Sequence, residues 1–208
     1  MAREFARRGA QVSGCDVSAE QVEAARAAAR ADGVSVDFRV APAERLPFED
    51  AVFDGAIAMQ CWIYFDLKRA IPELRRVLKP GGPVVVSHFS FLPRLDPIAR
   101  ASEALVLEFN PDWGGADWDG RVPLPLPRWA QEQLEGTDRF VYDEAIAFTR
   151  ESWRGRMRAL RGVGASLDPD EIRRFDERHA QLLEASTEES FEILHRIDAW
   201  VFRFREAV

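Results

Sequence analysis

Cysteine, lysine and histidine are scarce in this chain of 208 residues, and each scarcity closes off a class of function. Cys15 and Cys61 are the only cysteines, too few for a disulfide framework; each sits in an apolar stretch where a buried thiol is common, and a reducing cytoplasm fits. Lys68 and Lys79 are the only lysines, the arginines are scattered among carboxylates, and the net charge is -7. A clustered cationic surface for nucleic acid is therefore not expected. The arginine-rich run from Arg150 to Arg161 reads as a solvated helix face. The histidines, His88, His179 and His195, lack metal-ligand spacing. No apolar run is long enough for a membrane span, and the charged opening Met1 to Gly9 does not read as a signal peptide. No GxSxG elbow, P-loop or CxxC is found, and no glycine-rich loop precedes Asp16.

What is present alternates strands with helices. Met1 to Arg8 reads as the tail of a helix ended by Gly9. Ala10 to Asp16 is β-compatible, and Ser18 with Gln21 matches a capping box for a helix carrying Ala19, Val22, Ala25 and Ala29 on one face. Val34, Val36, Phe38 and Val40 alternate with polar residues, as in a strand near a sheet edge. Phe53 to Met59 is an almost unbroken apolar run, which predicts a central parallel strand covered on both faces. Asp66 to Leu78 predicts a helix with Ile71, Leu74 and Leu78 as its stripe, and Pro80-Gly81-Gly82 turns the chain into the strand Val84 to Val86. This spacing predicts βαβ units, hence a doubly wound, mostly parallel α/β sheet in one domain spanning 1–208.

Beyond Ser90 the texture changes. The stretch 93–130 is rich in proline, glycine and tryptophan and predicts an irregular insertion serving as a cap. Phe140 to Phe148 has strand character, and Glu151 to Leu160 and Pro169 to Ala185 look helical. Phe191 to Phe204 fits a period of two or a helical spacing, and is read as a strand.

In such a sheet ligands gather at the carboxyl ends of the strands, here Asp16 to Ser18, Ala41 to Leu46 and Met59 to Phe65. Asp16 carries two oxygens suited to a ribose diol, or else is an acid introducing the helix after Ser18. The turn from Ala43 to Phe48 offers backbone N–H groups. Gln60 begins a cluster in which Trp62, Tyr64 and Phe65 are candidates to line a substrate pocket or to fill core. Tyr64 and His88 are the candidate catalytic groups, as bases for an acceptor that needs deprotonation, with packing as the alternative for each.

The ordered series Gly14-Cys15-Asp16-Val17-Ser18, Ala43-Glu44-Arg45-Leu46-Pro47-Phe48, Phe53-Asp54 and Arg76-Val77-Leu78-Lys79-Pro80-Gly81-Gly82 resembles the class I S-adenosylmethionine-dependent methyltransferases. It is most similar to the small-molecule group that includes the ubiquinone and menaquinone biosynthesis enzymes. The resemblance implies a Rossmann-like sheet in the strand order three-two-one-four-five-seven-six, S-adenosyl-L-methionine as cofactor and a small-molecule methyl acceptor. It also implies that Asp16 binds the ribose, Val17 lies on the adenine face, Ala43 and Glu44 meet the adenine edge, and Gln60 is near the methionine part. The family's first strand and GxGxG loop are expected before Met1 and are missing from these residues. Each backbone group orphaned by a lost central strand costs roughly 1 to 3 kcal/mol, against a total stability of roughly 5 to 15 kcal/mol. Two readings stay open: a truncated piece of a methyltransferase, with Met1 an internal methionine or a wrongly chosen start, and a non-catalytic remnant acting as a binding or interaction protein.

Overall fold

In the computed structural model, which describes residues 1–206, the strands form two sheets. β1 (Ser13–Asp16) and β2 (Asp37–Val40) pair in parallel, with Ser13 opposite Asp37 and Asp16 opposite Val40. β3 (Ala56–Met59), β4 (Val84–Phe91), β5 (Leu134–Thr149) and β6 (Ser190–Phe204) form a second sheet in the order β3-β4-β6-β5. The helices are α1 (Ala2–Arg7), α2 (Ala19–Ala31), α3 (Leu67–Val77), α4 (Pro97–Phe109), α5 (Arg128–Gln131), α6 (Arg150–Arg158), α7 (Arg161–Gly164) and α8 (Pro169–Ser186). The order β2-β1 and then β3-β4-β6-β5 follows the order implied by the resemblance. The break between the sheets falls where that order has its first strand.

The chain forms two units, to which β4, β5 and β6 each contribute residues. The first comprises Met1–Val86, Pro125–Asp138 and the chain from Trp200 onward. Its core gathers Trp62, Ile71, Leu74, Val84, Val86, Leu134 and Phe202. Local signals set its helices. Gly9 and Gly33 take left-handed φ values of 90° and 65° where α1 and α2 end, a conformation that costs glycine little. Asp66 caps α3 by accepting from Lys68 N at 3.1 Å. The capping box expected at α2 is only half made: Ser18 Oγ accepts from Gln21 N, but Ser18 N donates to Asp16 Oδ1, so it is not left for the Gln21 side chain.

The central strand predicted over Phe53 to Met59 is corrected. The strand is Ala56–Met59, it stands at the end of its sheet, and Ile57 is 45% exposed. Ala51, Val52 and Phe53 instead donate their N–H groups to the carbonyls of Arg76 and Val77 at the end of α3, which commits the start of the apolar run to that helix end.

The second unit comprises Ser87–Leu124 and Arg139–Ala199. Here α8 packs against α4 and α6, and the core holds Trp153, Met157, Phe175, Leu183 and Ile193. The irregular insertion is also corrected, because it contains the 13-residue helix α4. Asp96 starts this helix by accepting from Ile98 N and Ala99 N at 2.9 and 2.8 Å, with Pro97 in the first turn. The solvated arginine face of α6 is half-buried in part: Arg154 and Arg158 both grip Asp176 of α8, and Arg156 lies over the Phe91 ring.

Two histidines of this unit are fully buried. His179 Nε2 lies 2.9 Å from Ser102 Oγ, which accepts from Trp153 Nε1 at 2.9 Å. Burial pushes the His179 imidazole down to about 4. His195 stacks on Phe89 and Phe148, with ring centroids 4.3 and 5.5 Å away, and burial holds it below its usual value as well. Both are neutral in the folded chain, so they do not bias stability at pH values above the unfolded value of 6.5. As pH falls from 6.5 towards about 4, unfolded His179 gains a proton that the folded form refuses, and roughly 3 kcal/mol of stability is lost. Urea unfolding at stepped pH should show this decline, and His179→Gln should remove its share; an equal slope in the variant would refute the assignment.

Candidate functional site

The carboxyl ends of β1, β2 and β3 meet in the first unit. The Cys61 thiol, just after β3, is held above its ordinary value first by burial and then by the nearby charge of Asp16 at the end of β1. Ala41 N donates to Asp16 O at 3.0 Å, which keeps the chain leaving β2 beside the end of β1.

Asp16 is exposed and performs the helix-start role read from the sequence. Its Oδ1 accepts from Ser18 N at 2.8 Å, the service of an acid at a helix start. Its Oδ2 has no partner among the described residues and remains an acceptor for a ligand hydroxyl. Val17 follows with its side chain 72% exposed. Ala43 and Glu44 lie in the turn after β2, and their N–H groups have no acceptor among the described residues. One oxygen of the Glu44 carboxylate accepts from Asp66 N at 2.7 Å, which directs the side chain to the start of α3.

Gln60 closes β3 with a left-handed φ of 60°. A residue other than glycine held there stores roughly 1 to 3 kcal/mol of strain, and such residues cluster at binding sites. The aromatic cluster divides. Trp62 is 2% exposed, belongs to the core and donates its Nε1–H to Pro125 O at 2.7 Å. Phe65 packs at the rim of that core, 5.8 Å from the Trp62 ring. Tyr64 is 55% exposed. His88, on β4 in the second unit, pairs its Nδ1 with Asp198 Oδ1 at 2.9 Å. Sequence reasoning missed Asp198, since no local spacing links residues that lie 110 positions apart.

Beneath the Ala43–Glu44 turn, Arg76 fixes the following loop. Its guanidinium donates to both Glu73 carboxylate oxygens at 2.8 Å, to Asp50 Oδ1 at 2.9 Å, to Phe48 O at 2.7 Å and to Leu46 O at 3.0 Å. Glu73 in turn accepts from Leu46 N at 2.9 Å. The side-chain hydrogen bond from Arg76 holds Glu73 below the usual carboxylate range. Close by, Lys79 Nζ pairs with Asp54 at 2.8 Å. A side chain at Gly82 would come within 3.0 Å of Lys79 O and 3.1 Å of Asp54 O. The Phe-Asp and Lys-Pro-Gly-Gly pieces of the sequence pattern are thus a brace for the site, standing apart from its ligand-facing atoms. Among the described residues, no group of three or more His, Cys, Asp or Glu side chains is arranged for a metal ion.

Residues 1–86 match a family model described as a methyltransferase domain. This segment belongs to the class I S-adenosylmethionine-dependent methyltransferases. The methyltransferase from Thermobifida fusca named demethylmenaquinone methyltransferase is 33% identical over 148 residues, covering 69% of this chain and 55% of its own length. The ubiquinone biosynthesis O-methyltransferase of Xanthomonas axonopodis pv. citri is 29% identical over 163 residues, 76% of this chain and 65% of its own length. The chain thus spans between about half and two thirds of these two relatives. A solved structure, a putative type II methyltransferase from Anaeromyxobacter dehalogenans, superposes with a TM-score of 0.59 at 20% identity, over 93% of this chain and 80% of that one. The fold is therefore the Rossmann-like α/β fold of class I methyltransferases.

The brace in this methyltransferase segment should be sensitive to side-chain geometry. Arg76→Ala removes the five hydrogen bonds that hold the loop from Leu46 to Asp50 and should lower the midpoint of denaturant unfolding. Arg76→Lys should recover less than half, because one ammonium cannot span the same acceptors.

Proposed function

We propose that the chain is an S-adenosylmethionine-dependent methyltransferase of the cytoplasm, acting on a small molecule. The reading is carried by the unsatisfied hydrogen-bonding groups at the strand ends: Asp16 Oδ2 and the N–H groups of Ala43 and Glu44, beside exposed Val17. Those are the positions that the family resemblance gives to the ribose, the adenine edge and the adenine face, and their chemistry fits each. Asp16 accepts from a ribose hydroxyl, Ala43 and Glu44 donate to adenine nitrogens, Val17 covers the ring, and Gln60 is adjacent to the methionine part. When bound, the cofactor supplies a methyl group already activated on a sulfonium. The chain's own contribution is to hold the acceptor in line and exclude water, which needs no dedicated base in principle.

Tyr64 and Phe65 serve as acceptor-side surface, with Trp62 supporting them from the core. The names of the relatives, which concern ubiquinone biosynthesis and demethylmenaquinone, support a partly apolar, aromatic acceptor. Among the described residues no helix is long and apolar enough to cross a membrane.

A second reading, a non-catalytic remnant that binds a partner or ligand, is favoured by one observation. Among the described residues, no strand joins β1 to β3. Isothermal titration with S-adenosylhomocysteine separates the two. The methyltransferase reading expects saturable binding that weakens at least about tenfold in Asp16→Ala, the loss of one charge-assisted hydrogen bond. Absence of binding, with a folded chain, would favour the remnant.

A further inference from the structure

The loop from Asp119 to Pro123 belongs to no helix or strand, yet its backbone is pinned to strand residues of the second unit. Gly120 O accepts from Arg196 Nη1 of β6, and Val122 O accepts from Arg139 Nη2 of β5 at 3.1 Å. Within the loop, Arg121 N donates to Asp119 Oδ1 at 2.9 Å, and Arg121 O accepts from Trp118 Nε1 at 3.2 Å. Gly120 takes a left-handed φ of 79°, and a Cβ there would stand 2.8 Å from Arg196 Nη1 and 3.3 Å from the Leu92 side chain. The close seat of the loop on Arg196 therefore needs glycine. Arg196 is itself fixed, because its Nε and Nη2 grip the two oxygens of Asp143 at 2.6 Å each.

Between this loop and the strands lies an open cavity of about 460 Å³, a size that suits a small molecule. Every residue lining it belongs to the second unit. Strand alternation sets Arg139, Val141 and Asp143 on one face of β5, the face that the loop meets. Val141 is 40% exposed there, and Val122 and Pro123 continue the apolar wall. The charged groups around the cavity are the guanidiniums of Arg121, Arg139 and Arg196 and the carboxylates of Asp119 and Asp143. Arg121 has its side chain 89% exposed and meets Asp119 Oδ2 through Nε at 3.3 Å, while its two amino groups make no hydrogen bond among the described residues. A chain of net charge -7 thus gathers an excess of positive charge on a wall held in place by backbone hydrogen bonds.

We propose that this cavity binds a small organic monoanion, a carboxylate on a compact apolar body. The carboxylate meets the guanidiniums of Arg121 and Arg139, whose planar forks match its two oxygens, and the body lies on Val122, Pro123 and Val141. The charge balance favours a single negative charge. A phosphate ester carries about -1.5 to -2 at neutral pH, and the Asp119 and Asp143 carboxylates repel the surplus. The site goes beyond methyl transfer and holds whether or not the first unit binds a cofactor.

The test is isothermal titration of the full chain with benzoate at low salt, with benzyl alcohol as the neutral counterpart and inorganic phosphate as the purely ionic one. Benzoate should bind saturably and more weakly as salt rises, because the cations face solvent. Benzyl alcohol and phosphate should each bind at least about tenfold more weakly, since each lacks one half of the recognition. Arg139→Gln should weaken benzoate by a similar factor, and so should Val141→Asp, which sets a like charge against the ligand. Both positions are exposed, and an unchanged near-ultraviolet circular dichroism spectrum checks that each variant keeps its fold. Benzoate binding that neither variant weakens, phosphate or benzyl alcohol binding as tightly as benzoate, or no benzoate binding at all would each overturn the proposal.

Discussion

The first unit depends on one planar cation. The loop from Leu46 to Asp50 has no strand or helix of its own, so its backbone groups must find partners elsewhere. Arg76 meets that need from the last turn of α3, dividing its donors between two loop carbonyls, Asp50 and Glu73. A guanidinium is suited to this because its donors form a rigid fork, so that fixing one bond largely fixes the others. The bonds from Ala51, Val52 and Phe53 to the end of α3 continue the same brace. The free N–H groups of Ala43 and Glu44 lie just upstream, and their direction is set by this anchorage.

The second unit solves a different problem, that of burying polar groups between helices and sheet. It does so in part: Asp96 spends both oxygens, and Ser102 links Trp153 to His179, whereas His179 Nδ1, His195 Nε2 and Asp198 Oδ2 are buried with no hydrogen-bond partner among the described residues. Glu103, buried on the same helix as Ser102, accepts from Asp117 N, and burial raises its carboxyl.

Features set by neighbouring residues were legible in the sequence. Asp66 and Ser18 announced their helices, and each accepts a backbone N–H in the first turn as its type predicts. The long strand β6 was legible from its period of two. Helix α4 was hidden because its start, Asp96-Pro97, sits among proline- and glycine-rich turns that mask a short apolar stripe. The shortening of β3 was invisible because the competitor for its first residues is the end of a helix more than 20 residues later. The site was half legible: the sequence pointed to Asp16, Ala43, Glu44 and Gln60, but not to the diversion of the Glu44 side chain to Asp66 or the left-handed backbone of Gln60. Both facts are tertiary, and neither leaves a mark on residue type.

The separation of the two sheets has a consequence for behaviour in concentrated solution. β3 ends its sheet and β1 has a single partner, so each leaves a row of backbone donors and acceptors uncommitted to any strand. Such rows are templates for another strand, and exposed Ile57 on β3 adds an apolar contact to reward the addition. The net charge of -7 opposes self-association through repulsion that salt screens. The colloidal lifetime of this chain is therefore governed by ionic strength, and dilute, low-salt buffer is the medium in which it keeps to itself.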